Sequence, residues 1–115
     1  MWGICFYSKV IRENKLCGKV VAFDLDADKK TAILSQPEDV RNLKIPVMEL
    51  KILSEPPEFI YSEQVRILRH PEHVGKITDI FWHFKYHCCY YYISVDGIQY
   101  HTRFFAKELT KLRRR

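Results

Sequence analysis

Tyrosine, histidine and arginine side chains at alternate positions of two adjacent strand patterns give this sequence its clearest chemical potential. Tyr90 and Tyr92 alternate in the first run, and His101 and Arg103 alternate in the second. Asp96-Gly97 separates the two runs and is a strong signal of a two-residue hairpin turn, so we expect the four side chains to share one face. Such a face can stack nucleobases and pair with phosphates, or bind a peptide or a methylated cation.

The same turn predicts the register of the hairpin. The pairs expected on the apolar side are Val95 with Ile98, Ile93 with Tyr100, and Tyr91 with Thr102. The pairs expected on the other side are Ser94 with Gln99, Tyr92 with His101, and Tyr90 with Arg103. The second set could equally stabilise an exposed sheet, or pack against the other half of the chain, without binding a ligand.

A second run rich in aromatic residues precedes the hairpin. Alternation places one set on a face where we expect core or inter-domain contacts: Ile80, Trp82, Phe84 and Tyr86. The opposite face then carries Phe81, His83, Lys85 and His87. One small domain cannot bury so many large rings, so we expect some of them in an interface with the other half or with a partner. His83 and Lys85 are therefore candidate partner-binding residues, together with Arg66 and Arg69 from the preceding strand.

Metal binding and catalysis find little support in the sequence. His83 and His87 would lie about 13 Å apart on a strand, too far for one zinc ion unless the chain turns between them. His70 and His73 could converge in a loop, but two ligands do not make a site. The sequence contains no GxSxG, P-loop or dinucleotide fingerprint. We therefore expect no enzyme activity, no metal and no cofactor.

The bulk properties are typical of a folded protein with an asymmetric charge. Net charge is +5, and residues 59–115 carry ten Lys or Arg against five Asp or Glu, whereas residues 1–58 carry nine of each. The basic half is the better candidate for an anionic partner. The chain has no apolar run of membrane-spanning length and no signal-peptide start, and its four cysteines form no CxxC. We expect a cytoplasmic protein with reduced, buried or half-buried thiols and no membrane partner.

A weak internal repeat indicates two related halves. Gly18-Lys19-Val20-Val21 recurs as Gly75-Lys76-Ile77-Thr78, and residues 48–53 recur as residues 107–112. Between the copies, residues 54–58 contain two consecutive prolines and read as a linker. The predicted domains are therefore residues 1–53 and residues 59–115.

Short strand patterns fill both halves. In the first half the candidates are residues 9–11, 18–23, 31–35 and 44–47. In the second half they are residues 64–69, 77–86, 90–95 and 98–104, followed by one helical turn at 106–109 and a final short strand. The sequence predicts an all-β protein of two tandem five-stranded SH3-like barrels with single-turn 3-10 helices.

Residues 65–80 carry the resemblance to a known class. Val65-Arg66-Ile67 precedes a loop, and His70-Pro71-Glu72-His73-Val74-Gly75-Lys76-Ile77-Thr78-Asp79-Ile80 follows, with a glycine before alternating apolar residues. This pattern resembles the SH3-like barrels of KOW and Tudor modules, in which the glycine permits a sharp bend where a bulky side chain would clash. The resemblance implies contact with nucleic acid or protein. We expect a protein-interaction module, such as an accessory, phage-related or immunity protein, with RNA or DNA binding as the alternative.

Overall fold

The computed structural model describes residues 1–6 and 18–112, and every structural statement below concerns these ranges. They form an all-β protein, in which the only helical elements are three 3-10 turns of three residues each. The chain divides into two compact units, Met1–Pro56 and Pro57–Arg115. The strand predicted at residues 9–11 lies outside the described residues. No helix in the described ranges is long and apolar enough to cross a membrane.

The first unit is an antiparallel sheet with strand order β5-β1-β2-β3-β4 in its described residues. Its strands are β1 (Trp2–Cys5), β2 (Lys19–Leu25), β3 (Thr31–Gln36), β4 (Lys44–Pro46) and β5 (Leu50–Ile52). Two 3-10 turns, Glu38–Val40 and Val47–Glu49, flank β4. β2, β3 and β4 confirm strand predictions, whereas β1 was not expected, because its Trp-Gly-Ile-Cys run lacks a clear alternation of apolar and polar residues.

Buried apolar side chains from all of these strands form the core of the first unit. Phe23 and Leu34 are almost completely buried and lie opposite each other on β2 and β3. The remaining members of this cluster are Cys5, Val21, Ala32, Val40, Ile45 and Leu50. The 3-10 turn at Glu38–Val40 contributes Val40 to it, so this turn positions an apolar side chain that no strand supplies.

The second unit is an antiparallel sheet with strand order β11-β6-β7-β8-β10, with β9 paired to β8. Its strands are β6 (Gln64–Ile67), β7 (His70–His83), β8 (Cys88–Val95), β9 (Ile98–Gln99), β10 (Phe104–Phe105) and β11 (Leu109–Lys111). The 3-10 turn Ala106–Glu108 precedes β11, as predicted, and Glu108 accepts a hydrogen bond from the Phe105 N–H at 3.0 Å.

Strict alternation along β8 divides the second unit into a core face and an outer face. Tyr91, Ile93 and Val95 are buried, while Tyr90 and Tyr92 are only half-buried. The core face is completed from the other strands and the preceding segment by Phe59, Val65, Ile67, Ile77, Ile80, Phe104 and Leu109. Because side chains on a strand alternate between faces, Tyr90 and Tyr92 must lie on the outer face.

The two units share the order of their five principal strands and the 3-10 turn before the last strand. The repeated sequence segments fall on equivalent elements: Gly18-Lys19-Val20-Val21 leads into β2, and Gly75-Lys76-Ile77-Thr78 lies within β7, each the second strand of its unit. The second pair of segments covers the 3-10 turn and last strand of each unit.

The structure shows no bend at Gly75, but it does show that a side chain at this position would clash. Gly75 lies inside β7, opposite Val65 of β6 and Val95 of β8, and not at a bend. A Cβ atom at this position would lie 2.9 Å from the Ser94 carbonyl oxygen. The glycine is therefore required by the close approach of two backbones, rather than by a special backbone angle.

The predicted hairpin register is correct near its turn and wrong beyond it. Val95 pairs with Ile98 and Ser94 with Gln99, and the Tyr100 N–H donates to the Ile93 carbonyl at 2.9 Å. Farther along, Tyr91 pairs with Phe104 and Tyr90 with Phe105, instead of with Thr102 and Arg103, and no strand pairing joins Tyr92 to His101. Residues 100–103 interrupt the strand, because a two-residue shift brings Phe104 into the core beside Tyr91.

The run at residues 77–86 does not continue as one strand. β7 ends at His83, and residues 84–87 form a turn to β8. Phe84 and Tyr86 are 52% and 58% exposed, so their predicted place in the core is wrong. Ile98, expected on the apolar side of the hairpin, is also exposed.

Candidate functional site

Six aromatic rings from three strands and one turn lie in mutual contact on the outer face of the second unit. We call this surface the aromatic face and define it by Phe81, His83, Tyr86, Tyr90, Tyr92 and Phe105. Each ring centroid lies within 6.4 Å of at least one other. Aromatic pairs at such distances contribute about 0.5–1.5 kcal/mol each beyond the area that they bury. The face is therefore a packed surface rather than a set of independent side chains.

Tyr90 is the centre of this face because strand pairing places a ring on either side of it. Phe81 of β7 and Phe105 of β10 are its direct cross-strand partners. The Tyr90 ring stacks with Phe81 at 5.8 Å and meets Phe105 edge-on at 6.4 Å. Tyr92 makes edge contacts with both Tyr90 and Phe81. The sheet thus holds a row of rings across three strands.

The turn at residues 84–87 adds a sixth ring by folding back on β7. Its closing hydrogen bond joins the His87 N–H to the His83 carbonyl at 2.8 Å, and His87 has a positive φ of 52°. The Tyr86 N–H donates to His83 Nδ1 at 3.2 Å, and the two rings stack at 4.4 Å. His83 Nδ1 is an acceptor here, so the neutral ring carries its proton on Nε2. The local turn therefore determines where Tyr86 lies.

Two cations lie beside these rings. The Arg103 guanidinium carbon is 5.6 Å from the Tyr90 ring centroid and 5.7 Å from that of Phe105. Lys85 Nζ is 5.8 Å from the Tyr86 ring centroid. Cation–π contacts of this kind are worth about 0.5–1 kcal/mol at exposed sites. They place positive charge next to an apolar, half-buried surface.

The Tyr90 hydroxyl reflects this environment. Partial burial raises its pKa, and the nearby Tyr92 adds to the increase, while the positive charge of Arg103 opposes it. The hydroxyl therefore stays protonated at neutral pH and acts as a donor or an acceptor of hydrogen bonds.

The structure brings together five of the eight candidate residues from the sequence. His83, Tyr90 and Tyr92 belong to the aromatic face, and Lys85 and Arg103 lie beside it. His101 is exposed in the segment between β9 and β10, and makes no ring contact among the described residues.

Arg66 and Arg69 lie toward the opposite end of β7 from the aromatic face. Arg66 is paired with Val74, seven residues before Phe81, which corresponds to roughly 20 Å along a strand. Its guanidinium donates to the Pro71 carbonyl. Arg69 is exposed next to the start of β7. Neither arginine is placed at the aromatic face.

Sequence reasoning missed three members of the aromatic face for different reasons. Phe81 was placed on the correct face but was not singled out as a candidate. Tyr86 was assigned to core or inter-domain contacts because its turn, Phe-Lys-Tyr-His, lacks the Gly, Pro, Asn or Asp residues that signal turns. Phe105 was missed because the two-residue shift in the hairpin could not be inferred from the Asp96-Gly97 turn.

A smaller polar group lies at the start of β7. Glu72 Oε1 is 3.8 Å from His70 Nδ1 and 3.9 Å from His73 Nε2, and the Tyr100 hydroxyl is 3.3 Å from His73 Nδ1. Within residues 1–6 and 18–112, no three metal-ligating side chains are arranged to hold a metal ion. Cys88 and Cys89 are free thiols.

The described residues thus define an all-β, barrel-like fold, with two units of the same strand order and an aromatic face on the second. Residues 39–110 match the Family of unknown function (DUF6960), and the chain belongs to this family. The matched range contains every residue of the aromatic face as well as Lys85 and Arg103. Among curated proteins, none matches the sequence.

Proposed function

We propose that this protein is a non-enzymatic, cytoplasmic binding module that binds a protein partner through the aromatic face of its second unit. The observation that carries the proposal is the contact of six rings with one another and with Arg103 on the outside of the sheet. Tyrosine and arginine are enriched among the residues that dominate the binding energy of protein interfaces. A surface of this composition costs little entropy on binding, because its rings are already ordered by their neighbours.

We further propose that each unit is a small SH3-like barrel and that the two arose by duplication. Five principal strands in the same order, with a 3-10 turn before the last, support this assignment in both units. The repeated segments occupy equivalent elements, as a duplication requires. The aromatic face belongs to the second unit, whose sequence resembles KOW and Tudor modules.

The test compares proteins captured by the full-length chain and by variants of its exposed residues. Tyr86→Ser removes an exposed ring of the face, and Met48→Ser removes an exposed apolar side chain of the first unit as a matched control. We expect a stoichiometric protein partner to be retained by the wild type and the control, and lost with Tyr86→Ser. Equal capture by all three, with folding verified by circular dichroism, would contradict the proposed site.

The second candidate function is binding of RNA or DNA. The observation that favours it is the excess of basic residues in residues 59–115. Stacking of bases on aromatic rings and pairing of phosphates with Arg103 would use the same face. Fluorescence anisotropy with labelled single-stranded RNA and DNA at low salt tests this candidate, and the absence of binding would eliminate it.

A further inference from the structure

Arg103 is held in a defined position, and no other described residue neutralises its charge. Two rings, Tyr90 and Phe105, lie at similar distances from its guanidinium carbon, 5.6 and 5.7 Å. Among the described residues, no carboxylate forms an ion pair with Arg103. Stacking against rings leaves the N–H groups at the edge of the guanidinium available, and their planar arrangement matches a carboxylate. Arg103 is therefore preorganised to bind an anion beside an apolar surface.

Lys85 repeats this arrangement on the turn. Its ammonium lies 5.8 Å from the Tyr86 ring centroid, and it likewise has no ion pair with a carboxylate of the described residues. Tyr86 itself contacts Phe105 at 6.0 Å, so a short path of rings connects the two cations. Both cations thus border the part of the face that is most exposed to solvent.

An acidic residue on the same side of the sheet lies at the other end of the face. Asp79 pairs with Tyr92 on β8, four residues before His83 on β7, which corresponds to about 13 Å along a strand. The two cations, Arg103 and Lys85, therefore lie at the end of the face opposite to Asp79. An occupant with the complementary arrangement places its negative charge against the two cations.

We propose that the partner segment bound by the aromatic face is an acidic peptide that combines carboxylates with an aromatic or large apolar side chain. A carboxylate pairs with Arg103, a second one approaches Lys85, and the apolar side chain packs on Tyr86 and Phe105. This inference rests on the proposed function and specifies the chemistry of the partner. Charge complementarity and the half-exposed rings together favour such a peptide over a purely charged polymer.

The probe is a fluorescein-labelled random copolymer of glutamate and tyrosine, titrated with full-length protein at physiological ionic strength. A polyglutamate of the same length tests the aromatic requirement, and an oligouridylate tests nucleic acid. Arg103→Gln removes the stacked guanidinium. Arg41→Gln removes an exposed guanidinium from the first unit and is the matched control.

We expect the glutamate–tyrosine copolymer to bind more tightly than polyglutamate. We also expect Arg103→Gln to weaken binding about tenfold, a modest change for a charge-assisted pair at the edge of an interface. Arg41→Gln should leave binding unchanged. Lys85→Gln should weaken binding less than Arg103→Gln, because a single ring contacts its ammonium and a lysine lacks the planar fork.

Three results would overturn the proposal: no binding of the copolymer, equal losses with Arg103→Gln and Arg41→Gln, or tighter Arg103-dependent binding of oligouridylate. Failure of the proposed function has a different signature, which is equal capture of a protein partner by the wild type and by Tyr86→Ser. If Tyr86→Ser abolishes capture of a protein partner while Arg103→Gln does not, the face binds protein but the acidic character of the partner is wrong.

Discussion

At the scale of single residues, neighbouring positions of β8 have opposite roles. Tyr91 is buried, meets the Phe59 ring edge-on at 5.4 Å and accepts a hydrogen bond from the Phe59 N–H at 3.4 Å. Tyr90, next to it, is the centre of the aromatic face. Alternation along the strand thus assigns one tyrosine to stability and the other to the candidate binding surface. The two roles can be separated by Tyr→Phe substitutions, each of which removes a single hydroxyl group.

We expect Tyr91→Phe to lower the free energy of unfolding by about 1 kcal/mol, because the substitution leaves the buried Phe59 N–H without its acceptor. Tyr92→Phe is the control, since the Tyr92 hydroxyl has no hydrogen-bond partner among the described residues. Urea unfolding monitored by fluorescence measures both variants. Equal stability of Tyr91→Phe and the wild type would show that the 3.4 Å contact contributes nothing.

The raised pKa of the Cys89 thiol predicts a loss of stability in alkaline solution. Burial raises the pKa of its thiol from 9.0 to about 11, and the charge of Cys88 adds to the shift. The thiol pKa is higher in the folded state than in the unfolded state. The contribution of the protonated thiol to the free energy of unfolding is therefore complete below pH 9 and is lost as the pH rises through 11.

We therefore expect wild-type stability to fall by about 1 kcal/mol more than that of Cys89→Ala between pH 8 and pH 10. Urea unfolding at a series of pH values gives the slope of the free energy of unfolding against pH for the wild type and for Cys89→Ala. Cys88→Ala, which leaves the Cys89 thiol in place, should retain a downward slope. Parallel slopes for the wild type and Cys89→Ala would refute the assignment.

At the scale of elements, the aromatic face depends on how strands are joined rather than on any one strand. The turn at residues 84–87 supplies Tyr86, and the displaced segment at residues 100–103 brings Phe105 opposite Tyr90. Both features depart from a simple ladder of hairpins. The long strand β7 connects them, because it carries Phe81 and His83 and also holds β6 along its first half.

Gly75 is the point at which β7 tolerates no side chain. We expect Gly75→Ala to lower the free energy of unfolding by about 1–3 kcal/mol, because its Cβ would meet the Ser94 carbonyl oxygen and force the backbones apart. Gly97→Ala provides the comparison. A Cβ atom at position 97 would meet no atom within 4 Å, but alanine there would have a φ of +77°, a backbone strain that costs about 1–2 kcal/mol.

Chemical denaturation of the two glycine variants separates crowding from backbone strain. Ile93→Val, added to Gly75→Ala, removes the Ile93 Cδ1 atom that lies close to the new Cβ. It should restore little stability, because the atom closest to that Cβ is the backbone carbonyl oxygen of Ser94. If Gly75→Ala is as stable as the wild type, the sheet adjusts more easily than its geometry suggests.

At the scale of the whole molecule, charge and aromatic surface are concentrated in the second unit. Residues 1–58 are electrically balanced, whereas residues 59–115 carry the net charge of +5. Of the ten basic residues in this half, Lys85 and Arg103 lie in contact with the aromatic face. The proposed protein partner and the alternative nucleic acid would use this charge differently.

Salt dependence of the full-length chain tests this reasoning. Binding to oligouridylate through scattered lysines and arginines should fall by more than about tenfold between 50 and 200 mM salt, because counterion release dominates it. Binding to the glutamate–tyrosine copolymer should fall less, since packing on the rings does not depend on salt. Equal salt dependence of the two would indicate that both are bound by charge alone.

The sequence by itself determined the elements that depend on local patterns. Alternation predicted β2, β3, β8 and the buried Tyr91, Ile93 and Val95, because the period of a strand is set by its own backbone. The Asp96-Gly97 turn fixed the first pairs of its hairpin. The 3-10 turn before β11 was predicted as one helical turn at residues 106–109.

Only the tertiary structure decided which rings meet. The placement of Phe105 beside Tyr90 depends on a two-residue shift that also buries Phe104, and a shift of this kind has no local signal. The turn that brings Tyr86 onto His83 contains no turn-forming residue type, and the crowding at Gly75 arises from the neighbouring strand. These features are non-local, because each is determined by packing between segments that the sequence separates.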